Sequence, residues 1–150
     1  MKKLLLLCVL QLTFILCFYG QGIATTDQQQ KAISTLIDRY SEAREKSDTN
    51  LLKSILTTDI DQLVSTGEWR KGIGSAVQGM LRSSGNSPGT RTLAIESIRM
   101  LSPTTAIVDC RYEIQNTGGT ARKMWSTFMV VDEKKIWKIS AIRNMLPASQ

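Results

Sequence analysis

The stretch that decides the fold is AIVDCRYEI, residues 106–114, in which apolar and polar side chains alternate. The even-numbered positions are apolar or small: Ala106, Val108, Cys110, Tyr112 and Ile114. The odd-numbered positions include the charged residues Asp109, Arg111 and Glu113. Successive side chains of a β-strand point to opposite faces, so this pattern predicts a strand with one buried face. Such a face needs another layer of structure to cover it.

Strand-like segments lie on both sides of this stretch. We expect strands near residues 91–101, 106–114, 124–131 and 136–144, with turns at 102–103, 116–119 and 133–135. The segment 124–131 is apolar on both of its faces. A strand of this kind requires cover on both sides, which predicts helices on one side and a further layer, such as a second subunit, on the other.

The first half of the chain is typical of helices. Apolar residues recur at three- and four-residue spacing from about Asp27 to Lys46, which predicts one amphipathic helix. Its polar face is expected to carry Lys31, Asp38, Arg39, Glu42, Arg44 and Glu45. Asp48 should cap a short second helix through residue 56, and helical spacing returns at 73–82.

The segments between these helices are expected to be irregular or extended: an extended run at 59–65, a turn at 67–72 and a loop at 83–89. The order of elements predicts an α+β fold. In that fold, three N-terminal helices pack on one curved, mainly antiparallel sheet.

The first 24 residues are typical of a secretory signal. Two lysines precede an apolar run at 4–19, and small residues precede the expected cleavage site after Ala24. Polar residues interrupt the run, which is shorter than the ~20 apolar residues of a spanning helix. We expect residues 1–24 to be a signal peptide and residues 25–150 to be one exported domain, periplasmic or secreted, without membrane attachment.

Composition argues against several classes of function. Removal of the signal takes two lysines and two of the three cysteines, which lowers the net charge from +6 to +4 and leaves Cys110 without an internal partner. Basic residues are scattered among acidic ones, so we expect no nucleic-acid binding. The chain has no histidine and no dinucleotide glycine motif, so we expect neither a metal nor a cofactor.

Short motifs are spread over the whole predicted domain: Asp38-Arg39-Tyr40, Ser47-Asp48, GEWRKG at 67–72, LSPTTAIV at 101–108, Ser126-Thr127-Phe128, Trp137-Lys138-Ile139 and Arg143-Asn144. Their order and spacing resemble the SnoaL-like branch of the nuclear transport factor 2 superfamily, close to the SgcJ/EcaC-like group of small secreted domains. The resemblance implies a cone-shaped α+β barrel, a pocket between the helices and the concave face of the sheet, and a homodimer through the sheet. It implies no single reaction, because members include enzymes and binding modules.

Ketosteroid isomerase, an enzyme of that superfamily, needs a carboxylate base together with a tyrosine and a protonated aspartate. Matching its first helix to Asp38-Arg39-Tyr40 assigns the tyrosine to Tyr40. The same matching puts the base on Val64 and the acid on Met124, which are both apolar. The reactions of relatives that use a catalytic histidine are also not expected, because this chain has no histidine. No catalytic residue is therefore assigned.

Six residues are candidates for a ligand pocket: Tyr40, Asp59, Trp69, Tyr112, Trp125 and Arg143. The aromatic side chains could line a cavity or simply fill the core. Asp59 could place a carboxylate at the pocket mouth or serve as a solvated or capping group. Arg143 ends the last strand, where it could hold a ligand carboxylate or form a salt bridge.

Two functions of different class remain. The first is a noncatalytic module that binds a small apolar or mixed-polarity molecule or assembles with itself. The second is a SnoaL-like enzyme of isomerase, cyclase or lyase type that uses Tyr40, Asp59 or Asp61 with Arg143 on a polyketide-like or steroid-like molecule. An enzyme should hold an ionisable group with a shifted pKa in its cavity, and a binder should have an apolar lining. We favour the first, because it requires no missing residue.

Overall fold

The computed structural model describes residues 25–86, 89–116 and 119–147. The predicted signal peptide, residues 1–24, lies outside the described residues, as do residues 117–118 in the middle of the predicted turn at 116–119. Within the described ranges, no helix has the length and hydropathy that crossing a membrane requires.

Three helices in the described ranges form one layer of the fold. Their bounds are α1 Asp27–Glu45, α2 Thr49–Ile55 and α3 Gly72–Asn86. Helix α1 begins with a capping box, in which the Thr26 hydroxyl accepts from the backbone N–H of Gln29 and the Gln29 side chain accepts from that of Thr26. Asp48 caps α2 by accepting from the backbone N–H of Leu51 at 2.9 Å. The predicted first helix and the predicted cap are confirmed.

Six strands form one mixed sheet in the part of the chain that the structure describes. Their bounds are β1 Leu56–Leu63, β2 Trp69–Lys71, β3 Gly89–Ser102, β4 Thr105–Asn116, β5 Arg122–Glu133 and β6 Ile136–Met145. The strand order is β2-β1-β6-β5-β4-β3, and only β1 and β6 pair in parallel. The predicted cone-shaped α+β fold is confirmed, with a sheet that does not close on itself.

The core lies between the helices and the inner face of the sheet. The five apolar positions of the opening stretch on β4 are all buried, as the alternation predicted. Tyr40 of α1 packs edge-on against Phe128 of β5, with ring centroids 5.3 Å apart. Cys110 is part of this core, and burial raises the pKa of its thiol to about 12. The thiol therefore acts as a small apolar group.

Three local features differ from the sequence-based expectations. Residues 69–71 form strand β2 on the edge of β1, where we expected only a turn. Helix α3 continues to Asn86, so the predicted loop at 83–89 is wrong for 83–86; there the Ser84 hydroxyl donates to the Arg44 carbonyl at 3.3 Å and ties α3 to α1. A β-bulge between Ile95 and Ser97 shifts the register of β3, so the alternation of side chains between the two faces of the sheet is interrupted there.

Candidate functional site

A cavity of about 260 Å³ opens at one end of the core, where α1 and α3 end against the sheet. Its charged lining residues are Arg44, Glu68, Arg70, Arg91 and Arg122. An apolar wall completes it, formed by Val64, Tyr112, Ile114 and Met124. The volume lies just below the ~300–1,000 Å³ of most ligand pockets, so it suits a small molecule.

Arg70 of β2 is held by Glu68, Gln62 and Ser83, and only 5% of it is exposed. The Glu68 carboxylate accepts from Arg70 Nε at 3.1 Å and from Nη2 at 3.3 Å, which makes the pair bidentate. Gln62 Oε1 accepts from Nη1 at 3.3 Å, and the Ser83 hydroxyl accepts from Nη2 at 3.0 Å. The hydrogen bonds and positive charge of Arg70 lower the pKa of Glu68 below its ordinary value of 4.5.

Arg44 lies in the last turn of α1, on the same side of the helix as Tyr40 four residues earlier. Its Nη1 donates to the Tyr40 hydroxyl oxygen at 2.9 Å, and its Nε donates to the Ser84 hydroxyl at 3.3 Å. Burial raises the pKa of Tyr40 above 10.0, although the charge of Arg44 opposes this. Arg44 therefore has a neutral phenol, rather than an anion, as its buried partner.

Arg91 and Arg122 stand near the beginnings of strands β3 and β5. Arg91 Nη1 donates to the Gly89 carbonyl at 3.1 Å. Arg122 Nη2 donates to the Ser65 hydroxyl at 2.7 Å. The four guanidinium groups thus come from one helix and three strands and meet around one cavity, each with hydrogen bonds that fix its position.

Two of the six predicted pocket residues lie at this cavity. Tyr112 forms part of its wall. Tyr40 is buried behind the wall and reaches the cavity only through its hydrogen bond with Arg44.

Like Tyr40, the other four predicted pocket residues are absent from the cavity lining, and within the described residues they also lack a hydrogen bond to one of its arginines. Asp59 is exposed on β1, Trp69 is 49% exposed and Trp125 is 40% exposed. Arg143 pairs with Asp61 Oδ1 at 2.7 Å and lies over the Trp69 ring, 4.8 Å from its centroid. Strand parity explains this placement, because Trp125 and Arg143 each adjoin a residue that does line the cavity.

The two positions that the isomerase comparison singled out both line the cavity. Val64 follows β1, and Met124 points inward from β5. Neither side chain ionises, so neither can act as a base or an acid in this cavity.

The arginine cluster is not among the site residues predicted from the sequence. Its members are separated by more than twenty residues each, and arginine is ordinarily exposed, so nothing in a linear pattern groups them. Arg44 was assigned to the polar face of α1, and this assignment is wrong: the residue is buried, because α3 and Tyr40 cover it. The run Trp69-Arg70-Lys71 gives no signal of the cluster either, because its apolar residue is Trp69, whereas the structure turns Arg70 inward and leaves Trp69 exposed.

Comparisons with known proteins bear on the fold. Neither a protein-family model nor a curated protein matches the chain. Among solved structures, an NTF2-like protein of unknown function from Shewanella oneidensis is 19% identical, with a TM-score of 0.66 over 77% of this chain and 98% of that one. A ketosteroid isomerase-like protein from Erwinia carotovora atroseptica is 15% identical, with a TM-score of 0.70 over 83% and 100%.

A third similar structure is a domain of unknown function with a cystatin-like fold from Nostoc punctiforme. It is 14% identical, with a TM-score of 0.73 over 83% of this chain and 81% of that one. Identities this low establish a shared fold and nothing finer. The chain has the NTF2-like fold, and at that level the predicted resemblance is confirmed.

Proposed function

We propose that this chain is a noncatalytic module that binds one small molecule in the cavity at the end of the cone. The observation that supports this is a preformed polar cavity, in which guanidinium groups from four elements are already fixed by hydrogen bonds within the protein. A preorganised site loses little side-chain freedom when a ligand enters, which favours affinity. Of the apolar and mixed-polarity ligands that the sequence left open, the polar lining favours a ligand that carries polar groups.

The same geometry supports binding rather than proton transfer. Glu68 is the one acidic side chain among the described lining residues, and both of its oxygens bind Arg70. Its pKa is lowered, whereas a general base works best with a pKa near the operating pH. The alternative of a SnoaL-like isomerase, cyclase or lyase has one observation in its favour, because the cavity is polar and holds Glu68 with a shifted pKa, as expected of an enzyme. The shift is downward and Arg70 occupies both oxygens, so Glu68 is poorly suited to act as a base.

A cavity-filling variant tests the proposed binding. Val64→Trp places a large ring in the cavity, and Lys53→Trp on the exposed side of α2 is the matched control. We expect native mass spectrometry and thermal-shift screening to find small molecules that bind the wild type and Lys53→Trp but not Val64→Trp. Small molecules that bind Val64→Trp as well as they bind the wild type would overturn the proposal. A screen that finds no bound molecule would also overturn it.

We also propose that the exported domain is a homodimer through the outer face of the sheet. Trp125 and Met129 share that face of β5 and are 40% and 38% exposed. Their cross-strand neighbours include Met145 beside Trp125 and Ile107 beside Met129, so two small apolar clusters lie on this face, separated by the polar row of Asp109, Thr127 and Arg143. A second copy covering this face would supply the outer layer that an apolar strand needs.

A further inference from the structure

The positive charge of the cavity exceeds the negative charge that its walls supply. Four guanidinium groups and one carboxylate line it within the described ranges. Arg44 and Arg122 donate to the neutral hydroxyl oxygens of Tyr40 and Ser65, and neither has a carboxylate partner among the described residues. Arg44 is buried and Arg122 is partly buried, and a charge removed from water is costly unless an opposite charge compensates it. A ligand that carries a negative charge would provide that compensation.

We propose that the ligand of this cavity is a small oxyanion, a carboxylate or a phosphate, held by Arg70 and Arg122 with Arg44 behind them. This inference rests on the proposed function and specifies its ligand class. The planar fork of a guanidinium matches two oxygens of a carboxylate or phosphate, so the arginines recognise both the charge and the shape of such a group. The apolar wall of Val64, Tyr112 and Met124 would contact the remainder of the molecule.

Glu68 occupies the position that the ligand takes. Its carboxylate already makes with Arg70 the bidentate pair that an external oxyanion would make, and its side chain is 49% exposed. A half-exposed glutamate can turn toward water when a ligand displaces it. Arg70 then remains fixed by Gln62 and Ser83, so the guanidinium stays in place for the incoming anion. Glu68 thus competes with the ligand and limits its affinity.

The test is calorimetric titration of the purified full chain with benzoate, with inorganic phosphate and with benzamide, the uncharged analogue of benzoate. Three variants accompany the wild type. Arg122→Gln removes one cavity charge, Glu68→Gln removes the competing carboxylate, and Arg111→Gln removes an exposed outer-face charge as the control. Circular dichroism and thermal melts establish that each variant is folded.

We expect an oxyanion probe to bind and benzamide to bind at least about tenfold more weakly, because hydrogen bonds to charged groups are the strong ones. Arg122→Gln should weaken oxyanion binding about tenfold, Glu68→Gln should strengthen it severalfold, and Arg111→Gln should leave it unchanged. Binding should also weaken with added salt. Benzoate tests for a carboxylate ligand and phosphate for a phosphate ligand. Binding of either one supports the inference if it changes with Arg122→Gln, Glu68→Gln and salt as stated.

Failure of this inference is separable from failure of the proposed function. Equal binding of benzoate and benzamide, insensitive to Arg122→Gln but abolished by Val64→Trp, overturns the oxyanion class and leaves small-molecule binding intact. Absence of binding by both anions also overturns the oxyanion class, and the screen against Val64→Trp then decides separately whether the cavity binds any other molecule.

Discussion

Gly79 of α3 leaves the space that the Arg70 side chain occupies. A Cβ atom at Gly79 would overlap Arg70 at its Nε, Cδ and Cζ atoms. The guanidinium cannot move aside without losing its bonds to Glu68, Gln62 and Ser83, which hold it at the cavity. A glycine on one element thus permits the position of a charged group on another.

This contact predicts whether replacing Gly79 by alanine stabilises or destabilises the protein. Alanine normally favours a helix over glycine by about 1 kcal/mol. Gly79→Ala should instead destabilise the protein by about 1 kcal/mol or more, because overpacking costs ~1–3 kcal/mol and displaces Arg70. Gly74→Ala in the same helix is the control, since nothing lies within 4 Å of its Cβ, and it should stabilise. Urea unfolding of both variants measures the difference; a stabilising Gly79→Ala would contradict the tight contact.

The buried hydrogen bond between Tyr40 and Arg44 gives a second prediction. Tyr40→Phe keeps the ring contact with Phe128 but removes the oxygen that accepts from Arg44 Nη1. We expect a loss of about 1–3 kcal/mol in the free energy of unfolding, because a buried charged donor loses its acceptor. Tyr112→Phe is the comparison variant, since its hydroxyl makes no hydrogen bond within the described residues, and it should cost less stability than Tyr40→Phe. Equal effects of the two variants would count against the role of this bond.

The lowered pKa of Glu68 predicts a pH dependence. A carboxylate whose pKa is lower in the folded state than in the unfolded state stabilises the fold above the unfolded pKa, here 4.5. That contribution is lost as the pH falls through the folded pKa. The stability difference between the wild type and Glu68→Gln should therefore be present at pH 7 and shrink as the pH falls below 4.5.

Urea unfolding of both proteins from pH 7 to pH 3 checks this prediction. The other carboxylates titrate in both proteins, so their effects cancel in the difference between the two free energies of unfolding. A difference that stays constant over the acid range would mean that the Glu68–Arg70 pair does not set the pKa of Glu68.

The proposed homodimer predicts a mass change from one surface substitution. Trp125→Glu replaces an exposed aromatic side chain on the outer face of the sheet with a charge and should convert the dimer to a monomer in light scattering after size exclusion. Ile136→Glu is the matched control, since Ile136 is 58% exposed at the start of β6 and lies away from both apolar clusters of that face. A monomeric wild type, or a dimer that tolerates Trp125→Glu, would refute the arrangement.

The fold followed from local patterns, whereas the cavity did not. The alternation of 106–114 and the spacing of α1 are set by strand and helix geometry, which the sequence displays directly. The arginine cluster depends on tertiary contacts, because Arg44 becomes buried only when α3 packs against α1 through Ser84. The bulge after Ile95 also follows from pairing with β4, since no residue type at that position requires it.

The most direct test of the oxyanion cavity is an NMR titration that follows the arginine Nε–H signals while benzoate is added. Each signal reports on one guanidinium, so the experiment locates the bound anion. We predict progressive shifts of the Arg70 and Arg122 signals, with those of Arg111 and Arg143 on the outer face unchanged. Shifts confined to Arg111 or Arg143, or no shift of Arg70 at saturating benzoate, would contradict the assignment of this cavity as the binding site.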